Sequence, residues 1–280
     1  MIRLLPEEQK AFSRYIYSLT AIVLDDSKAY LIENRLAGLA QELGCRSYGD
    51  LLNRAQVEAG GLIRRRMIDA ITTGETLFFR DGGPWNLLRQ KLLPEMIDRS
   101  ARSGRRPIRI WSAACSTGQE VYSVAIVLKE VLGDPGRYGV RLLGTDISDQ
   151  AVARASRGIF NQVEIARGLG DPVREKYFRA TAGGWQIRDE IRAMASFRTL
   201  NLMNDFSSLG RFDLIFCRNV AVYFNDRDRI ALFNRIGQAI EREGSLIIGS
   251  MESMAPACTQ FESRRHMRSV YYVLKGSPAQ

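Results

Sequence analysis

Two carboxylates, each placed where an apolar run gives way to a helical pattern, are the residues with the clearest chemical prospects. Glu120 follows the small-residue stretch Ser112-Ala113-Ala114-Cys115-Ser116-Thr117-Gly118, which extends the apolar run Ile108–Trp111. Gln119 and Glu120 then open a helical pattern carried by Val121, Tyr122, Val124, Ala125 and Leu128. Strand, small-residue turn and helix are the first unit of a nucleotide-binding α/β fold. Small side chains admit a ligand to the backbone, and the helix N-terminus offers unpaired N–H groups.

The turn is not built for a pyrophosphate. A GxGxxG loop uses three glycines, whereas Gly118 is the glycine of this one. A carboxylate at the helix mouth repels phosphate and suits a ligand with positive charge or free hydroxyls, such as S-adenosylmethionine. An ordinary βαβ turn with a solvated glutamate in its first turn, where acids are favoured anyway, fits this stretch equally well.

Asp146 closes the run Leu142-Leu143-Gly144-Thr145-Asp146. An acid at the end of a second strand can accept both ribose hydroxyls. The competing role, a helix N-cap, belongs better to Ser148 or Asp149, so the ribose reading is favoured. A later apolar run ends in Phe216-Cys217-Arg218-Asn219-Val220, with Tyr223-Phe224 just beyond. Ligands of open α/β sheets sit at the carboxyl ends of strands, which turns Arg218, Asn219 and Tyr223 towards a pocket. A surface turn followed by a core tyrosine is the alternative. Asn201, after Phe197-Arg198-Thr199-Leu200, is placed to offer its amide to an adenine edge.

Several classes are excluded. The single histidine, His266, lies among Arg264, Arg265 and Arg268 and reads as a strand-surface residue. A Ser-His-Asp triad would have to use it, and no His-rich metal site can be built. Cys45, Cys115, Cys217 and Cys258 form no CxxC pair and read as reduced, mostly buried thiols of a cytoplasmic protein. No apolar run approaches the roughly 20 residues that span a bilayer, and the N-terminus lacks the apolar core of a signal peptide. The net charge of +9 implies an acidic partner without choosing between nucleic acid, an anionic membrane face and acidic protein segments.

The elements that must position these residues fall into two parts, for which 280 residues suffice. The first 70 or so read as about four helices, the second starting near Ser27 and the last carrying Arg64-Arg65-Arg66. A break over Ile71–Arg80 precedes a helix from Pro84 to Ile97 and a solvated Arg/Ser linker, Arg99–Arg106. Strands are then expected at Ile108–Ser112, Val140–Thr145, Phe212–Phe216, Ser245–Gly249 and Val270–Leu274. They alternate with helices at Gln119–Leu132, Asp149–Ser156, within Asp171–Phe178, and at Asp226–Glu241, the pattern of a parallel sheet. Trp185-Gln186-Ile187 through Phe197 alternates like a short inserted antiparallel hairpin.

In this order, ITTGETLFFR, WSAACSTGQEVYS, LLGTDIS, LNLMN and FDLIFCRNVAVYF resemble the chemotaxis-receptor methyltransferases of the CheR type, over nearly the whole chain. The resemblance implies an all-α N-terminal domain (1–73), an interdomain segment and helix (74–106), and a Rossmann-like α/β methyltransferase domain (107–280) with a β-subdomain inserted at about 180–198. It implies S-adenosylmethionine as cofactor, S-adenosylhomocysteine as product, and methyl ester formation on receptor glutamates. Thr76, Arg80, Glu120, Asp146, Asn201, Leu202, Arg218 and Asn219 become cofactor contacts, and Arg80 and Tyr223 the pair beside the reacting methyl group. Arg64, Arg65 and Arg66 become the basic face towards the acidic receptor helices.

Gly74 stands where the family commonly has Asn, removing a side-chain contact. The short Ala182-Gly183-Gly184-Trp185 stretch, set against the family, implies independence of the receptor's C-terminal pentapeptide; a monomer with no nucleic-acid partner and no membrane insertion is also expected. The chemistry agrees with the residues. A glutamate side chain, which ordinarily titrates near about 4.3, is already ionised at neutral pH. Attack on a sulfonium methyl then needs orientation rather than a general base, which Arg80 supplies through charge-assisted hydrogen bonds and Tyr223 through its hydroxyl. A nucleic-acid enzyme would need an aromatic platform for a flipped base, and the polar-Pro-Pro-aromatic run often used on amino groups is missing after Phe216.

Overall fold

A computed structural model describes residues 2–25, 28–104, 106–254 and 256–277. The expected helix start at Ser27 and the linker residue Arg105 lie outside them. Four helices open the chain: α1 (Pro6–Thr20), α2 (Ala29–Glu42), α3 (Tyr48–Val57) and α4 (Leu62–Ile71). Phe12 and Ile16 of α1, Leu36 of α2, Leu51 of α3 and Met67 of α4 close a separate apolar core. The break expected at Ile71–Arg80 begins where α4 ends: residues 72–82 are a strap without regular structure, followed by α5 (Gly83–Leu87), a π-helical turn (Leu88–Leu92) and α6 (Leu93–Arg102). Pro94 has no N–H to give to the ladder, and the wider turn just before it absorbs the mismatch. The helix therefore outruns Ile97, and Arg99, expected in a solvated linker, is buried within α6.

The second part comprises β1 (Arg109–Ala113), α7 (Gln119–Leu132), β2 (Arg141–Asp146), α8 (Asp149–Arg157), β3 (Ile159–Phe160), α9 (Gln162–Ala166), α10 (Asp171–Tyr177), β4 (Phe178–Thr181), β5 (Gly184–Ile187), α11 (Asp189–Arg192), β6 (Ala195–Thr199), β7 (Phe212–Cys217), α12 (Asp226–Ala239), β8 (Ile240–Ile248), β9 (Phe261–His266) and β10 (Ser269–Leu274). Seven strands form the main sheet in the order β6-β2-β1-β7-β8-β10-β9. Pairing is parallel from β6 to β8, and β10 runs antiparallel to both of its neighbours. From β1 the chain winds outwards to β2 and β6, then returns to β7 on the other side of β1. This reversal opens a crevice at the carboxyl ends of β1 and β7. Separate apolar layers pack the two faces of the sheet, one holding α7 and the other α12.

The expected inserted hairpin is corrected. β5 pairs antiparallel with β3 and β4 in a three-stranded sheet, so the insertion lies within Ile159–Ile187 rather than about 180–198. Phe197 instead belongs to β6, the parallel edge strand of the main sheet beside β2. Two features account for this: α11 turns the chain between the two segments, and Gly144 of β2 has no side chain where Phe197 lies across it. A Cβ there would stand 2.7 Å from the Phe197 ring. Two further strands, Phe261–His266 and Ala195–Thr199, join the sheet beyond those expected, and β8 begins at Ile240, inside the span expected to be helical to Glu241.

The small sheet also anchors the strap. Phe78 inserts edge-on between Phe160 and Phe178, with ring centroids at 4.9 and 5.5 Å. Gly168, at φ +97°, passes so close that a Cβ would lie 1.9 Å from the Phe78 carbonyl oxygen. Gly168→Ala is expected to destabilise the protein by more than about 1 kcal/mol, read as a lower urea midpoint at unchanged m-value.

Candidate active site

The loop leaving β1 is wound tightly. Ala114, Ser116 and Gly118 all take left-handed backbone angles, φ 61°, 50° and 96°. For the two non-glycine residues this costs on the order of 1–2 kcal/mol each, so the surroundings must hold them. Asp146 is one such support: its Oδ2 accepts the Ser116 N–H at 2.8 Å and its Oδ1 the Ser148 N–H at 3.0 Å. Ser148 caps α8 by accepting the Ala151 N–H, which leaves Asp146 at the end of β2 and free of the N-cap duty. Gly118 does a different job from that expected. A Cβ there would meet Ala155 of α8 at 3.0 Å, so the glycine admits one helix to another rather than backbone to a ligand.

Burial raises the Asp146 carboxyl above the ordinary aspartate value. The N–H groups of Ser148 and Ser116 pull it back, and the Asp69 charge pushes it further up. Asp69 comes from α4 of the N-terminal domain and accepts the Ser148 hydroxyl at 2.6 Å and the Gln150 N–H at 3.3 Å. The helical domain therefore closes over the carboxyl ends of the strands and forms one wall of the crevice.

Glu120 lies on the opposite side in a buried network. Its Oε1 accepts the Ser112 hydroxyl at 2.7 Å, and its Oε2 pairs with the Arg218 guanidinium at 2.8 Å. Arg218 also pairs with Asp81 at 2.7 Å and donates to the Arg80 carbonyl at 3.1 Å, with a side chain only 2% exposed. Arg218 lines the cleft as well. Its guanidinium is taken up by three partners and braces the strap against the sheet. Glu120 offers oriented oxygen lone pairs, its charge being offset by Arg218.

The strap is clamped along its length. Arg35 of α2 donates to the carbonyls of Ile71 and Thr72, both at 3.0 Å. The Ser116 hydroxyl donates to the Gly74 carbonyl at 2.9 Å, so the backbone at Gly74 makes a contact where its side chain offers none. The Phe79 N–H reaches the Ser123 hydroxyl at 3.0 Å, and the Trp85 indole donates to the Arg80 carbonyl at 3.0 Å. Thr76 and Arg80 consequently line the crevice. The Arg80 side chain is held loosely by one 3.3 Å bond to the Glu75 carbonyl.

One cleft of about 290 Å³ collects Thr76, Arg80, Glu120 and Asp146 with Leu202, Asn219 and Tyr223. Arg218 and Asn201 form part of its wall. The Asn201 amide does not face freely into it: its Nδ2 donates to the Leu19 carbonyl at 2.8 Å, and its Oδ1 accepts the Met203 N–H at 2.9 Å. A tie to the N-terminal domain thus fixes the Asn201 side chain at the cleft wall. Tyr223 is 36% exposed at the rim, and its carbonyl accepts the Val23 N–H at 3.0 Å. The three arginines of α4 have separate fates. Arg64 is exposed, Arg65 stands 3.8 Å from Asp149, and Arg66 is bound twice to Glu42. Sequence reading does not reach Asp69 and Asp81, because nothing local ties a carboxylate to a partner more than 70 positions away.

An open α/β sheet with its cleft at the switch point, an acid closing β2 and an acid rather than a glycine-rich phosphate grip at the first helix mouth define an S-adenosylmethionine-dependent methyltransferase. Carboxylate oxygens suit the hydroxyls and cationic parts of that cofactor. More particularly, the chain belongs to the CheR methyltransferase family. The description "CheR methyltransferase, SAM binding domain" matches residues 74–270, and "CheR methyltransferase, all-alpha domain" matches residues 7–72. "Chemotaxis protein methyltransferase 1" of Pseudomonas aeruginosa is 39% identical over 87% of this chain and 89% of its own length. A protein of the same name from Vibrio cholerae is 38% identical over 96% and 97%. S-adenosylmethionine is the cofactor.

Asp146→Ala is expected to weaken S-adenosylhomocysteine binding at least about tenfold, because charge-assisted hydrogen bonds are each worth roughly 1.5–3 kcal/mol. Unchanged affinity by calorimetry would remove the ribose role. The acceptor works as the anion, and its raised pKa means that it gains a proton earlier on acidification. Affinity should therefore be full near neutrality and fall as pH drops, with a midpoint above the ordinary value of about 3.9.

Proposed function

We propose that the protein methylates glutamate side chains on the cytoplasmic helices of chemoreceptors, forming glutamyl methyl esters. The observation that supports this most is the meeting of Arg80 and Tyr223 with Glu120 and Asp146 in one cleft. Bound there, S-adenosylmethionine supplies a methyl group already activated by its sulfonium. What remains for the chain is to hold a carboxylate in line and keep water out. Arg80, whose guanidinium keeps most of its donors free, orients the incoming carboxylate, and Tyr223 at the rim fixes it with its hydroxyl. No proton has to be removed from a glutamate at neutral pH. His266, which ends β9 at the edge of the sheet, has no part in the reaction. An amine or hydroxyl acceptor would need a base.

Arg64 and Arg65 on α4 face the acidic receptor helix, while Glu42 offsets the charge of Arg66. β4 and β5 are joined by Ala182-Gly183 alone, and this short turn supports recognition that is independent of a receptor's C-terminal pentapeptide. The enzyme works as a cytoplasmic monomer without a nucleic-acid partner. Among the described residues no helix is long and apolar enough to cross a membrane.

Incubation with methyl-labelled S-adenosylmethionine and receptor methylation-region fragments should place label on the fragment and release it as methanol in mild alkali. Alkali-stable label, or label on RNA, would overturn the reading. Arg80→Ala is expected to lower kcat about a hundredfold, the scale of a misplaced reactant; near-normal turnover would exclude it from the reacting centre.

A further inference from the structure

The loop that carries Arg218, Asn219 and Tyr223 is held by a carboxylate from the next strand end. Glu252 closes the turn after β8: its N–H donates to the Gly249 carbonyl at 3.0 Å, and its Oε2 accepts the Gly249 N–H at 2.7 Å. The same oxygen accepts the Asn219 N–H at 2.7 Å, and Oε1 accepts the Val222 N–H at 3.3 Å. One side chain therefore satisfies three backbone donors on two neighbouring strand ends. Buried or half-buried N–H groups without partners are costly, and here they lie where regular sheet pairing has stopped.

The conformation being held is a demanding one. Asn219 sits at φ 57°, a left-handed angle that asparagine tolerates better than most residues but only under strain. Gly249 leaves the room required: a Cβ there would lie 2.6 Å from Glu252 Oε2 and 2.8 Å from Asn219 Nδ2. The turn also reaches the strap, since the Ser250 hydroxyl donates to Asp81 at 3.2 Å, the carboxylate that pairs with Arg218.

We propose that Glu252 is a positioning residue for methyl transfer, its two oxygens dividing the work: one sets Asn219 in the cofactor wall and the other sets Val222, and with it Tyr223, at the reacting centre. The Tyr223 half of this rests on the substrate reading above; the Asn219 half rests only on cofactor binding.

The two halves separate in two variants. Glu252→Gln keeps one oxygen for Asn219 and Gly249 but turns an N–H₂ group towards the Val222 N–H, and Glu252→Ala removes both acceptors. By calorimetry, the glutamine variant should bind S-adenosylhomocysteine within about twofold of the parent while the alanine variant binds roughly tenfold more weakly. With a receptor fragment, the glutamine variant should lose about tenfold or more in kcat with little change in KM, as a misplaced group does.

A glutamine variant that retains kcat, or loses it only in proportion to cofactor affinity, overturns the proposal. So does an alanine variant, or a glutamine variant should alanine fail to fold, whose cofactor affinity departs from this order. If the parent enzyme itself forms no alkali-labile ester on receptor fragments, the substrate reading fails, and the affinity comparison still decides the role of Glu252 towards Asn219.

Discussion

A guanidinium 2% exposed to solvent cannot stand alone, and much of this molecule is arranged around satisfying Arg218. Its partners come from three places: Asp81 and the Arg80 carbonyl from the strap, and Glu120 from the first turn of α7. Removing either carboxylate would leave the other to balance the charge but strand a buried guanidinium donor, which typically costs about 1–3 kcal/mol. The ion pairs therefore act less as a source of net stability than as a demand for one arrangement. Only with the strap drawn against the ends of β1 and β7 are all three partners in reach. That same arrangement brings Thr76 and Arg80 to the cleft and aims Glu120 into it.

The second constraint is set by the domain boundary. Asp69 on α4 bonds to Ser148 and raises the Asp146 carboxyl through its charge. Asn201 ties the end of α1 to the loop after β6, and the Tyr17 hydroxyl donates to Asp228 at the start of α12 at 2.6 Å. The cofactor cleft is thus finished by residues of the helical domain rather than merely covered by it. A partner that presses on the basic face of α4 pushes on the helix that also carries Asp69. With the receptor docked on α4 as proposed, substrate docking and cofactor binding would share a rigid element, which is the physical condition for coupling between them.

How much of this can be read from the chain depends on whether the signal is local. The β1-turn-α7 unit, the acid at the end of β2 and the Ser148 cap are legible, because each is written in contiguous residue types whose spacing has one structural meaning. The strap is legible as a break in helical period but not in its contacts. β6 is open to misassignment because its alternation is shared by a hairpin strand and by a parallel edge strand with one face covered. What separates the two is a missing side chain at Gly144, some fifty positions earlier. Arg218 and Asn201 are placed at the cleft by their sequence context, which says nothing of the protein groups that fix them there. Whether a buried polar side chain is engaged by protein or left for a ligand is decided by pairs such as Arg218–Asp81, which no spacing rule reports.

With the carboxylate acceptor proposed above, these pairs let the site work without a base. In acid–base catalysis a side chain changes protonation and must tolerate both states, which favours a responsive environment. Here the cleft holds charges and dipoles in fixed places: Glu120 is locked by Ser112 and Arg218, Asp146 by two N–H groups, and the Asn219 backbone by Glu252. Preorganised groups of this kind lower a barrier by costing no rearrangement when charge moves. Transfer between a cationic donor and an anionic acceptor neutralises charge as it proceeds, so strong stabilisation of either ion alone would oppose it. A cleft that offsets Glu120 with Arg218 and leaves one loosely held guanidinium, Arg80, at the mouth would, on the proposed reaction, orient both partners without trapping them.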